Sequence, residues 1–479
     1  MALPATRRGS WSDPTSCSPS EVPAVPSFEM GETRTVLEGL ASSLALLLVA
    51  ACGSSSGPSL TREELLVPET CMDCHPDHYR EWSGSMHAYA ADDPVFLAMN
   101  QRGQRETDGE LGDFCVNCHA PMAVREGATT DGLDLDAVPE ELKGVTCFFC
   151  HSVDAVEGDH NNPLRLADDL VLRGGIQDPV ESGEHAADYS SLHDRDARES
   201  SDLCGACHDI VTPGGVHLER TFAEWKETIF GQDIPGQLSC SGCHMTGREG
   251  VAADFDGVPL RRVHEHTFAG VDVAVTEWPE KDAQLEAIAR DLEPAILPGI
   301  CVAPDAGGVE VEASLDNVLV GHMWPSGAAQ DRRAWVELTA YSGGDVVYQS
   351  GVVPDGDSVT ELDDPDLWLL RDRTFDEAGD PAHMFWEVAD VESELLLPAV
   401  TTDPDDPRFY HAVTHIYRIP VVPDRITMQL HIQPIGLDVI DDLIASGDLA
   451  EEIRAEVPVF TLDGAALEWT EPDGFACVR

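Results

Sequence analysis

Five copies of Cys-x-x-Cys-His constrain this chain more than any other feature: CMDCH at 71–75, CVNCH at 115–119, CFFCH at 147–151, CGACH at 204–208 and CSGCH at 240–244. They absorb ten of its fourteen cysteines. Two thiols three residues apart can each add to one vinyl group of a porphyrin, and the adjoining imidazole then becomes the proximal ligand of the iron. The spacing predicts five covalently bound haem c groups, on thioethers from Cys71, Cys74, Cys115, Cys118, Cys147, Cys150, Cys204, Cys207, Cys240 and Cys243. The proximal ligands are then His75, His119, His151, His208 and His244. Paired Cys-x-x-Cys motifs also make zinc knuckles, but a zinc ribbon has no reason to place a histidine directly after every second cysteine.

The apolar run at 37–51 is too short to span a bilayer and reads as the core of a secretory leader occupying 1–51. Met30 makes a more ordinary signal start than Met1. The leader ends in Val49-Ala50-Ala51-Cys52 and resembles a bacterial lipoprotein signal. Cys52 is therefore expected to be lipidated, a removed leader with an unmodified cysteine being the alternative. Several acyl chains on one residue would hold the chain on a membrane surface. Residues 52–68 are expected to form a flexible linker. Export to the periplasm or cell surface follows, and Gly53 after the lipid site favours the outer membrane. A formal net charge of -59 excludes nucleic acid as a partner, because its phosphates require Lys and Arg. The same charge suits steering toward a basic redox partner.

The run ETCMDCHPDHYREWSGSMHAYA, then FCVNCHAP, KGVTCFFCH followed by EGDH, and DLCGACHD, is similar to the tetrahaem electron-transfer cytochromes related to hydroxylamine oxidoreductase and pentahaem nitrite reductase. The resemblance covers residues 70–245. It implies distal ligands: His87 for the haem on His151, His160 for that on His75, and His193 or His185 for that on His208. It also implies an open face on the haem of His119. His266, in HEHTFAG with His264, is the candidate for the fifth haem. His78 and His217 are weaker candidates. TFAEWKET around Trp225 echoes HYREWSGSMHA around Trp82 without its histidine, which suggests duplication with a packing role left to the second tryptophan.

Residues 69–276 form the haem region, where short helices and loops are expected, and 277–300 read as one amphipathic helical linker. From 301 to 479 apolar and polar residues alternate in segments such as RAWVELTAY and ITMQLHIQPI between Gly, Pro and Asp turns. This is strand periodicity, predicting a β-sandwich and an α+β chain overall. Its segment VGHMWPSG resembles an element in C-terminal β-domains of large multihaem cytochromes, whose histidine, here His322, would reach across to a haem. His383, His411, His415 and His431 are expected to be structural. Cys301 and Cys477 bracket this region and are expected to form a disulfide, two buried free thiols being the alternative.

Two functions fit: an electron carrier serving a redox protein or a quinol-linked donor and acceptor, or an oxidoreductase acting on a small nitrogen or sulfur compound at one open haem. No Cys-x-x-Cys-Lys occurs, and histidines suffice to close every iron, which favours the carrier. A β-domain scaffold merely stabilised by haem is a third and weaker alternative.

Overall fold

Thr61, followed three residues later by Glu64, makes a reciprocal capping box that starts a helix at Arg62–Leu66. The computed structural model describes residues 59–479. Leu65 and Leu66 are buried in a core shared with residues of the second, third and fourth motifs. The expected flexible linker at 52–68 is thus helical over its last part, because the cap and two apolar side chains together tie it down. Cys52 and the leader lie outside the described residues.

The haem region is built from short helices, most of four to eight residues. Pro94–Glu106 is the longest there at 13 residues, opened by Asp93, which accepts from Val95 N. Four two-stranded ribbons lie between them, which periodicity did not reveal. In one, Ile210–Val211 pairs with His217–Glu219; in another, Gly247–Gly250 pairs with Arg261–His264. Strands this short carry too few residues for alternation to show.

The linker helix spans Lys281–Leu292, shorter than the expected 277–300. Strand Leu297–Asp305 begins inside that range, so the β-region starts before residue 301. Ala287, Ile288 and Leu292 sink into the same core as the sheets, so the helix is part of that layer.

Beyond it stand two antiparallel sheets. The first runs in the order Val413–Ile419, Gly308–Asp316, Leu297–Asp305 and Cys477–Val478. The second is centred on Arg333–Ser342 and Arg425–Gln433. Val309, Val311, Ala313 and Leu315 from the first meet Ala334, Val336, Leu338 and Ala340 from the second in one buried cluster. Alternate residues supply it, as period-two side chains require. Cys301 and Cys477 face each other in register and are disulfide-bonded.

The C-terminal region is not wholly β. Helix Leu437–Ala445 buries Val439, Ile440 and Leu443 against Val95 and Ala98 of the long haem-region helix. That shared core makes the described residues one compact unit.

Candidate haem-binding sites

The second, third and fifth motifs lie on about one turn of helix, and the first and fourth keep such a turn at a helix end, His75 N donating to Cys71 O and His208 N to Cys204 O; the turn sets the two cysteines on one side and the histidine next to them. Thr146 caps the third motif by accepting from Phe149 N, and Ser239 caps the fifth by accepting from Gly242 N. Thiols of different motifs are also neighbours: Cys71 lies beside Cys147, Cys118 beside Cys207, and Cys204 beside Cys240. The fourth motif therefore touches both the second and the fifth.

Four of the five motif histidines are oriented by backbone carbonyls. Nδ1 donates to Ala252 O from His75 (2.7 Å), to Ala90 O from His119 (3.1 Å) and to Ala269 O from His244 (2.8 Å), and His151 donates to Arg173 O. An Nδ1 committed to a carbonyl leaves Nε2 as a free acceptor, the arrangement that a metal-binding imidazole uses.

Four other histidines face motif histidines. Ring centroids are 6.2 Å apart for His75 and His185, 6.2 Å for His87 and His208, 6.4 Å for His151 and His266, and 6.4 Å for His244 and His322. Two imidazoles sharing one iron, with bonds of about 2 Å each, would place their centroids at roughly this spacing. Three of the facing rings repeat the Nδ1 arrangement: His185 donates to Ala186 O, His266 to His264 O and His322 to Met323 O. Burial pushes His87 down to about 3 and His322 to about 4, favouring the neutral imidazole that binds metal.

These partners differ from the expected ones. His87 faces His208 rather than His151; its own carbonyl accepts from Val145 N, and Gly144, at φ +65° with a Cβ position only 2.6 Å from that carbonyl, lets the segment leading into the third motif pass so close. His185, not His160, faces His75. His160 instead meets His217 with centroids 6.3 Å apart, because Asn161 and Asn162, both at positive φ, tie its loop to Val211, Asp209 and Ala206. His266 faces His151, leaving the fifth motif to His322. His193 packs 5.5 Å from His151 but commits Nε2 to Cys150 O. His78 lies 4.8 Å from His266 and is held down to about 4 by burial.

His119 has no facing imidazole among the described residues; Phe96 stacks on it at 4.1 Å with planes 4° apart, fixing its rotation.

The arrangement fits covalently attached haem at each motif: paired thiols, an adjoining imidazole, and for four motifs a second imidazole across a gap of one metal ion. It does not fit zinc, since among the described residues no three His, Cys, Asp or Glu side chains converge on a common point.

Residues 70–152, which hold the first three motifs, match the family model of cytochrome c554 and c-prime. A search of curated proteins gives no match. Among solved structures, the fold is similar to that of a penta-heme cytochrome c552 from Thermochromatium tepidum, at 22% identity and a TM-score of 0.59, covering 84% of this chain and 98% of that one.

Proposed function

We propose that this multihaem c-type cytochrome holds five haems and works as an electron carrier, anchored to a membrane by lipid on Cys52 and exported to the periplasm-facing or outer surface. The supporting observation is the set of four facing imidazole pairs. Haem held there would supply one-electron redox chemistry, and an imidazole from each side would suit it to electron transfer rather than to binding substrate. The protein's own part is to hold the ligands: His75 with His185, His208 with His87, His151 with His266, and His244 with His322.

The closeness of thiols from different motifs supports relays between neighbouring haems. The first motif adjoins the third, and the second, fourth and fifth adjoin in that order, with Cys204-x-x-Cys207-His208 in the middle. The acidic surface suits a basic redox protein as partner, with a quinol-linked donor or acceptor at the membrane.

A second reading is carried by His119. With no imidazole opposite it, its iron would keep one position for a small nitrogen or sulfur compound. One spectrum separates the two. Purified protein should give five haems per chain by pyridine haemochrome, with four low-spin in the ferric state. A fifth that stays unchanged with nitrite, hydroxylamine or sulfite supports the carrier, and one that shifts supports the enzyme. Protein without haem would overturn both.

A further inference from the structure

Two Glu-Trp dipeptides, Glu81-Trp82 and Glu224-Trp225, are each followed three residues on by a hydroxyl side chain, Ser85 or Thr228. Their hydrogen bonds are equivalent. Ser85 Oγ donates to Trp82 O at 2.7 Å, and Thr228 Oγ1 to Trp225 O at 2.8 Å. Trp82 Nε1 donates to Val145 O at 2.8 Å, and Trp225 Nε1 to Leu238 O at 2.9 Å. Val145 and Leu238 each stand two residues before the first cysteine of a motif, Cys147 or Cys240. Each of those cysteines lies beside the first cysteine of the motif preceding the dipeptide, Cys71 or Cys204.

The glutamates complete the correspondence. Glu81 Oε2 accepts from His266 N at 2.9 Å, and Glu224 Oε2 accepts from Met323 N at 3.1 Å and from Ser326 Oγ at 2.9 Å. His266 faces the motif tied by Trp82, and His322, next to Met323, faces the motif tied by Trp225. The echo in the sequence is thus a repeated device and more than a packing tryptophan: the indole fixes the motif, and the neighbouring carboxylate fixes the segment that faces it.

We propose that Glu81 and Glu224 are positioning residues that hold His266 and His322 over the third and fifth attachment sites. This rests on the five-haem reading above. Each carboxylate accepts a partly buried backbone N–H that has no other partner, which makes the loop's position costly to abandon. Loop 321–327 has no regular secondary structure of its own to hold it, and Thr221, on the same helix as Glu224, adds a second tie by accepting from Gly327 N at 3.0 Å.

The test is the ferric spin state counted against total haem in Glu81→Ala, Glu224→Ala and the corresponding glutamine variants. Each alanine variant should gain one high-spin haem per chain, reverted by added imidazole, while glutamine, whose carbonyl still accepts the N–H, should keep the wild-type spectrum. Alanine variants with five haems and wild-type spin state and reduction potentials would overturn the proposal. If they do not accumulate, Glu224→Asp keeps the charge on a shorter arm and should bind cyanide faster than wild type; an unchanged rate would overturn it equally. Wild-type protein lacking haem would instead refute the haem reading itself.

Discussion

His322 presents its ring to His244 with centroids 6.4 Å apart and planes 13° from parallel, from a loop of the β-region to a motif of the haem region. The loop is held on both sides. Asn317 Nδ2 donates to His322 O, Trp324 exchanges backbone bonds with Leu396, and Arg332 Nε donates to Ser326 O. The β-region thereby completes a site that the haem region begins.

Replacing His322 by alanine should therefore open the fifth site while the other four remain as they were. The ferric spectrum should gain high-spin character equal to one haem, with five haems still attached, since attachment needs only Cys240, Cys243 and His244. An unchanged spectrum would separate the β-region from iron ligation.

The imidazole planes of His87 and His208 are 51° apart, the widest angle of the four facing pairs. Near-parallel ligand planes give rhombic low-spin ferric signals, and larger twists push the principal g-value upward. His87→Ala should remove the highest-g low-spin signal in electron paramagnetic resonance and create one high-spin centre. Loss of a different signal would return His87 to His151.

Asp438 forms a buried ion pair with Arg333 at 2.6 Å, and Arg333 is only 1% exposed at its side chain. Asp438→Ala leaves that guanidinium buried without its counter-charge, a change that costs about 3–5 kcal/mol. Denaturant melts should show it as an earlier unfolding midpoint, and a midpoint equal to wild type would contradict the role.

The disulfide between Cys301 and Cys477 closes a sequence separation of 176 residues. By the chain-entropy model such a loop contributes about 5 kcal/mol, while measured removals range over about 2–5. The double serine variant should lose stability on that scale with its haem content unchanged, as read by unfolding and haemochrome together.

Burial holds Glu219 up to about 7 and Asp331 and Asp93 up to about 6. Asp331 and Asp272 raise Glu219 further while Arg332 and Gln330 oppose them; around Asp331, Asp438 raises while Arg333, Arg332 and His383 lower. For Asp93, Asp272 adds to the rise, and the N–H groups of Val95 and Phe96 oppose it. A carboxyl raised in the folded state keeps its proton where the unfolded chain has lost it, so folding stability falls as pH rises from about 4 to about 7. The protein should melt at a higher temperature near about pH 5 than near about pH 8, and Glu219→Gln should narrow the gap. A gap that stays the same width would remove Glu219 from the cause.

Local chemistry was legible in the residues themselves. Cys-x-x-Cys-His needs only one helical turn to present its thiols and imidazole, so the five attachment sites could be read without knowing any long-range contact. Val309 to Leu315 and Ala334 to Ala340 alternate with the pleat, so the sandwich strands showed as period two. Cys301 and Cys477 are the only cysteines after the last motif, so they could be read as a pair. Which second imidazole faces which motif was decided only by tertiary structure. His87, His185, His266 and His322 differ little in sequence context from His160 and His193, and each acquires its partner from a turn, ribbon or loop placed by distant packing. Glu81 and Glu224 were invisible for the same reason: a carboxylate that accepts a backbone N–H far along the chain leaves no periodic mark, because the partner is chosen by the fold and not by the spacing.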